Sequence, residues 1–81
     1  MSIDHLSGTP VYVQLAALLR TAIERGELEQ DRPLPSYTTL MQQYDLARGT
    51  AAKAVQLLVD EGLVKIVPGR GAYVTRSDER Q

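Results

Sequence analysis

Prolines and glycines divide the 81-residue chain into short apolar segments. The main breaks fall at Pro10, Gly26, Pro33, Gly62 and Gly69. Proline cannot continue a helix, and glycine readily adopts the left-handed conformation that ends one, so each helix is confined between two breaks. A chain of this length is expected to form one domain with a core of a few short elements.

The segment between Pro10 and Gly26 predicts the first helix. Thr9 is expected to cap its N-terminus, while Pro10 occupies the first helical position, where a missing N–H costs nothing. Gly26 is expected to end it. Its apolar residues recur at spacings of three and four and so share one face: Val11, Leu15, Leu18, Leu19, Ala22 and Ile23. Four polar residues are expected to face water: Gln14, Thr21, Glu24 and Arg25.

A connector and a second, shorter helix follow. The connector runs from Glu27 to Pro35, and its two leucines, Leu28 and Leu34, are expected to hold it to the core. Ser36 predicts an N-cap for a helix of about two turns. Asp45 tolerates a left-handed conformation, so the chain is expected to turn there.

A third helix and a hairpin complete the predicted fold. Four apolar residues at i, i+3, i+4 and i+7 predict the third helix, which Gly62 should end: Ala51, Ala54, Val55 and Leu58. The β-branched runs at 63–67 and 72–75 flank turn residues, which indicates a β-hairpin. The sequence therefore predicts an α+β winged helix-turn-helix domain over residues 1–76, with a flexible polar tail at 77–81.

Charge is distributed unevenly along the chain, whose net charge is −1. DNA-binding domains usually carry a basic face against the phosphates. Residues 1–45 hold three basic and six acidic side chains, whereas residues 46–76 hold five basic and two acidic ones. A nucleic-acid-binding face is therefore expected in the second half.

Composition argues against several other functional classes. Without cysteine, the chain has no thiolate zinc site and no cysteine nucleophile. The single histidine, His5, has no nucleophile or carboxylate at a catalytic spacing, so no enzyme activity and no cofactor are expected. The acidic residues between Glu24 and Asp31 are interpreted as a solvated face rather than a metal site. No apolar run approaches the roughly 18 residues of a membrane span, and no targeting segment is apparent, so we expect a cytoplasmic protein without a membrane partner.

The start of the third helix carries candidate base-reading residues. Arg48 can bind a guanine or a phosphate, Thr50 can contact a phosphate or a thymine methyl group, and Gly49 permits close approach. Lys53, one turn later, can reach a phosphate. The alternative is that Arg48 and Lys53 are solvated charges on an amphipathic helix.

The predicted hairpin tip is Gly69-Arg70-Gly71. Its glycines leave the turn slim, so Arg70 can enter a minor groove, where a narrow groove concentrates negative potential. The alternative is an ordinary turn whose arginine points into solvent.

The start of the second helix offers hydroxyl groups and free N–H groups to a phosphate. Ser36, Thr38 and Thr39 are the candidates, although N-capping alone would also explain Ser36. Tyr37 is interpreted as a phosphate ligand or a surface ring. Tyr44 and Tyr73 are expected in the core.

Five stretches, in the same order and spacing, resemble the winged-helix domain of the GntR family of bacterial regulators over Thr9 to Thr75. They are Pro10-Val-Tyr-Val-Gln-Leu, Ile23-Glu-Arg-Gly-Glu-Leu, Leu34-Pro-Ser, Ala54-Val-Gln-Leu-Leu-Val-Asp-Glu-Gly-Leu-Val and Gly69-Arg-Gly-Ala-Tyr-Val. The resemblance implies binding of double-stranded DNA and regulation of transcription, with repression as the expected mode. The competing interpretation is a winged helix that binds protein or dimerises.

The chain departs from the family pattern at four positions. Thr38 and Ala52 stand where the family commonly has arginine, Ala47 where it has a Ser/Thr cap, and Gly49 where it has threonine. Arg48 and Thr50 keep the family identities.

The family usually adds a larger C-terminal domain that senses a metabolite and dimerises. An effector ligand is therefore not expected within this chain, which is either part of a longer regulator or a short protein. In the second case, the N-terminal segment and the first helix are expected to pair two copies as a homodimer.

Overall fold

The computed structural model describes residues 3–76 and residue 78, and the elements follow the predicted order. Helices α1 (Val11–Glu24), α2 (Tyr37–Tyr44) and α3 (Arg48–Asp60) precede strands β1 (Val64–Val67) and β2 (Gly71–Val74). The strands are antiparallel. The α+β winged helix-turn-helix class is confirmed. Apart from Asp78, the predicted tail lies outside the described residues, and the domain bounds stay a prediction.

Helix α3 lies at the centre of the core, because it packs against α1, α2 and β1. Its four predicted core positions are all buried. Together with residues from every other element and from the connector they form one cluster: Leu15, Ala16, Leu19, Ile23, Leu34, Leu40, Ala51, Ala54, Val55, Leu58, Val64 and Val74.

Helix α3 ends in a Schellman motif that leads directly into the hairpin. Gly62 has a φ of 82°, its N–H donates to the Val59 carbonyl, and the Leu63 N–H donates to the Leu58 carbonyl, both at 3.0 Å. These bonds satisfy carbonyl groups that the helix leaves without partners. Gly26 ends α1 in the same left-handed conformation. Both glycine stops are confirmed, and the one at Gly62 sets the direction in which β1 leaves α3.

The predicted cap of α1 is wrong. The N-cap is Pro10, and no side chain caps the helix. Because Pro10 takes this position, Thr9 lies one residue outside the helix. Gln14, which was expected to face water, holds the preceding segment instead: its Nε2 donates to the carbonyls of Thr9 (2.8 Å) and Asp4 (2.9 Å), and its Oε1 accepts from the Asp4 N–H (2.8 Å).

The connector does more than join two helices, because it pairs with the free edge of β2. The Val74 N–H donates to the Arg32 carbonyl and the Leu34 N–H donates to the Ala72 carbonyl, both at 2.9 Å. Pro33 thereby lies opposite Tyr73 as an isolated bridge. The bridge anchors the hairpin to the entry of α2. Leu34 is buried and Leu28 packs against the core, as predicted.

The two tyrosines predicted for the core differ. Tyr44 is half-buried and packs against the core. Tyr73 is half-buried on a surface that it shares with Asp31, Lys65 and Arg70, so its core assignment is wrong. The reason is strand periodicity: successive side chains alternate between faces, and Val74 takes the core face.

A bidentate ion pair links α1 to the end of α3. Arg20 donates through Nε to Glu61 Oε1 at 2.8 Å and through Nη2 to Glu61 Oε2. The hydrogen bond and the charge of Arg20 lower the pKa of Glu61 below its ordinary value of 4.5, and the pKa of Arg20 is raised in turn. Both side chains are partly exposed, so solvent weakens the pair.

Removing the centre of the core tests the packing. Leu58 is fully buried, and Leu58→Ala should lower the free energy of unfolding by about 2–5 kcal/mol in urea denaturation. Leu6→Ala removes the same atoms from a side chain that is 96% exposed. The control should change the free energy of unfolding by no more than about 0.5 kcal/mol. Similar effects of the two substitutions would contradict this core.

The Glu61 pair predicts a pH dependence with a definite sign. Because the folded state lowers the Glu61 pKa, the pair stabilises the fold above the ordinary value of 4.5. It loses this contribution as the pH falls through the folded pKa. Glu61→Gln should therefore cost up to about 1 kcal/mol near neutral pH and nothing in strong acid. Denaturation across a pH series, with Glu29→Gln as the exposed control, measures the difference; a cost independent of pH would rule out the ion pair as its source.

Candidate nucleic-acid interface

Three separate predicted segments meet around one groove of about 480 Å³, here called the helix–hairpin groove. Ser36, Tyr37 and Thr38 line it from the start of α2, Arg48 from the start of α3, and Arg70 and Gly71 from the hairpin. The connector and the strands complete the lining with Pro33, Leu34, Pro35, Ile66 and Ala72. Residues distant in sequence thus form one surface with two guanidinium groups.

The start of α2 combines a cap with unused donors. Ser36 Oγ accepts from the Thr39 N–H at 3.1 Å and donates to Thr39 Oγ1 at 2.9 Å. The predicted N-cap is confirmed. Thr39, whose hydroxyl group accepts from Ser36, does not line the groove. The N–H groups of Tyr37 and Thr38, in the first turn, have no acceptor within the helix.

The start of α3 carries Arg48 as its first residue. Its Cζ lies over the Tyr37 ring, 5.3 Å from the centroid. Ala47 is the N-cap and supplies no side-chain hydrogen bond. Gly49 is exposed, and a Cβ added there would meet no atom within 4 Å beyond its chain neighbours and the backbone of its own helix. Thr50 is half-buried and does not line the groove.

Lys53 lies apart from the helix–hairpin groove. Its Nζ is 4.7 Å from the centroid of the Tyr12 ring, which belongs to α1. The side chain is exposed. The spacing along α3 predicted that Lys53 is exposed, which is correct. The same spacing could not predict the contact with Tyr12, because that ring belongs to another helix.

The hairpin tip has the predicted glycine geometry, with φ values of 78° at Gly69 and 113° at Gly71. The Arg70 N–H closes the turn on the Val67 carbonyl at 2.9 Å, and its side chain is exposed. Ile66 was missed as a groove residue, although it is 53% exposed. Strand alternation gives it the same face as buried Val64, but farther from the core, and this signal could have identified it.

Neither a metal-ligand cluster nor a membrane-spanning helix occurs among residues 3–76 and 78. No group of three or more His, Cys, Asp or Glu side chains could hold a metal ion in that part of the chain. Within the same residues, every helix is too short or too polar to cross a bilayer.

Comparison with known proteins identifies the family. Residues 11–74 match the family model described as bacterial regulatory proteins, gntR family. The chain belongs to this family. The match extends from the first residue of α1 to the last residue of β2, so it includes all three sides of the helix–hairpin groove.

Curated relatives of this gntR-family chain are named as regulators. It is 38% identical over 81 residues to the HTH-type transcriptional repressor NagR of Bacillus subtilis (strain 168), covering 100% of the chain and 33% of that protein. It is 34% identical over 65 residues to the mannosyl-D-glycerate transport/metabolism system repressor MngR of Escherichia coli (strain K12), covering 80% and 27%. The chain thus spans between a quarter and a third of the length of these relatives.

Solved structures give the same family and fold. The AraR DNA-binding domain in complex with operator ORX1 has a TM-score of 0.82 and 32% identity, covering 93% of both chains. YtrA from Sulfolobus acidocaldarius, a GntR-family transcription factor, has a TM-score of 0.84 and 36% identity, covering 94% of this chain and 80% of that one. The predicted family is confirmed, and so, at the level of the family, is DNA-binding regulation of transcription.

The uncapped start of α3 makes a testable prediction. Ala47→Ser would supply an acceptor for an unpaired N–H of the first turn. It should raise the free energy of unfolding by about 0.5 to about 2 kcal/mol in thermal or urea denaturation. Ala17→Ser, at an exposed position inside α1, should instead lower it by a few tenths of a kcal/mol, about the difference in helix propensity. A loss of stability with serine at both positions would contradict the capping geometry.

Proposed function

We propose that this gntR-family domain binds double-stranded DNA sequence-specifically and regulates transcription as a repressor. Helix α3 enters the major groove, and the hairpin lies on the adjacent minor groove or the backbone. The observation that carries the proposal is the helix–hairpin groove, in which Arg48, Arg70 and the N-terminus of α2 face one space.

The proposed contacts divide into base reading and backbone binding. Arg48 reads a base edge, Thr50 contacts a phosphate or a thymine methyl group, and Gly49 admits the DNA close to the helix. The remaining residues contact phosphates or the minor groove: Ser36, Tyr37, Thr38, Thr39, Lys53, Gly69, Arg70 and Gly71. Among these, Thr39 would act mainly through Ser36, whose hydroxyl group it engages.

The relatives named above support DNA binding and repression as the proposed function. The AraR domain is described in complex with operator DNA, and its fold matches the described residues closely. NagR and MngR are both named as repressors. The proposal extends these properties to this chain and needs no catalytic step, no cofactor and no effector bound within these residues. It implies a cytoplasmic protein that reaches DNA, as a homodimer if two copies pair through α1 and the segment before it.

A second candidate is a protein-interaction or dimerisation module. The net charge of −1 and the neutral side chains of Thr38 and Ala52 favour it, since DNA-binding surfaces are usually basic. The two candidates differ in salt dependence, because phosphate binding releases counterions and weakens as salt rises.

Two arginine substitutions test the proposal. Arg48→Ala should weaken binding by about 1–3 kcal/mol and relax base preference at one position, whereas Arg70→Ala should weaken binding to all sequences and reduce the salt slope by about 1. Fluorescence anisotropy with a labelled duplex over a salt series measures both effects. Arg25→Ala removes the same charge from an exposed side chain outside the groove and is the matched control.

The same titration separates the two candidates. DNA binding through the helix–hairpin groove is supported if the affinity rises as the salt concentration is lowered. The affinity should also depend on Arg48 and Arg70 but not on Arg25. If all three variants bind alike, the assigned face is wrong. If the unmodified chain binds no duplex even at low salt, the protein-interaction module becomes the better account.

A further inference from the structure

Both cations of α3, Arg48 and Lys53, lie on tyrosine rings that other helices supply. Arg48 lies 5.3 Å from the centroid of Tyr37, which is the first residue of α2. Lys53 lies 4.7 Å from the centroid of Tyr12, which belongs to α1. Both distances are within the roughly 6 Å at which a cation is attracted to the face of a ring.

The rings are anchored, whereas the cations are not. Tyr12 and Tyr37 are half-buried and pack against the core, and Arg48 and Lys53 are exposed. A ring held by the core restricts the rotamers of the cation above it. The side-chain entropy that Arg48 would lose on meeting a ligand is then partly lost already on folding.

The manner of contact matters for Arg48. Its contact with Tyr37 is with the face of a ring and not a hydrogen bond to an acceptor, so it does not use the N–H donors that recognise guanine or phosphate. Arg20 shows the contrasting arrangement, because Glu61 engages its edge donors directly. In the part of the chain that the structure describes, no carboxylate forms an ion pair with Arg48. Its N–H donors therefore stay available in the groove that it lines.

We propose that Tyr37 is a positioning residue that presents the edge of Arg48 to DNA and thereby sharpens base discrimination. This inference rests on the proposed function and adds a role that composition could not suggest, since Tyr37 acts through another side chain. Its ring, rather than its hydroxyl group, performs this role. A phosphate contact by the hydroxyl group is a separate role, and substitutions distinguish the two.

The test uses the whole chain and a duplex selected by it from a library with a randomised core. Tyr37→Leu should weaken binding by up to about tenfold, because Arg48 then loses all of its side-chain entropy on binding, and should reduce discrimination at the base that Arg48 reads. Tyr37→Phe and Tyr37→Trp keep a ring and should keep the discrimination at that base, which Tyr37→Leu loses. Tyr44→Leu removes another half-buried tyrosine that packs against the core and controls for lost packing.

A double-mutant cycle distinguishes the positioning role of Tyr37 from a purely structural role. Tyr37→Leu should have no further effect on Kd once Arg48→Ala is present, because the positioned group is gone. In the free protein, NMR should show ring-current shifts on the Arg48 side chain that Tyr37→Phe keeps and Tyr37→Leu abolishes. This second measurement needs no DNA and would reveal a variant that fails to fold.

Different results would overturn the positioning role of Tyr37 and the proposed DNA-binding face. If Tyr37→Leu weakens binding equally with and without Arg48, or if Tyr37→Phe weakens it as much as Tyr37→Leu, the positioning role is overturned. If Arg48→Ala weakens binding but Tyr37→Leu does not, only the inference about Tyr37 falls. If Arg48→Ala itself leaves Kd unchanged, the proposed DNA face falls, and the positioning role falls with it.

Discussion

The contact between α3 and its neighbours depends on two small side chains, Ala51 and Ala54, which are both fully buried. Their size lets α1 and α2 approach the same helix closely, while Leu58 and Val55 fill the space farther along. A larger residue at either alanine would push a neighbouring helix outward. Because α2 and the hairpin line the helix–hairpin groove together with α3, the shape of the proposed interface depends on this packing.

Features set by local backbone chemistry could be predicted from the sequence. Gly26 and Gly62 end helices because few other residues adopt their φ at low cost. Ser36 caps α2 because its oxygen is close to a free N–H, and Asp45 turns left-handed at a φ of 54°. The N-cap of α1 was predicted wrongly, because Thr9 and Pro10 both suit the start of a helix. Only the backbone geometry shows that Pro10 takes the N-cap position.

Features that join distant parts of the chain could not be predicted. The pairing of the connector with β2 carries no apolar alternation of its own, and the Arg20–Glu61 pair joins residues 41 positions apart. For the site, residue type identified Arg48 and Arg70 as candidates. It could not show that they share a groove, nor that Tyr37 and Tyr12 lie beneath two cations.

Ion pairing makes the charges of this chain of net charge −1 unequal in their effect. Three basic residues that do not line the helix–hairpin groove are paired with carboxylates: Arg20 with Glu61, Arg25 with Glu27 and Lys65 with Asp31. Arg48 and Lys53 lie instead on neutral rings, which leave their charge uncompensated. The sum of charges is therefore a poor guide to the field at the groove, because nearby charges dominate over screened distant ones.

The junction of α3 and β1 also makes the hairpin a spacer of fixed length. Leu63 alone separates the Gly62 stop from β1, and each strand has four residues. The strands therefore extend by roughly 10 Å. Two more residues in each strand would carry Arg70 about 7 Å farther from the end of α3. Strand length therefore sets the reach of the hairpin tip independently of the residues at the start of α3.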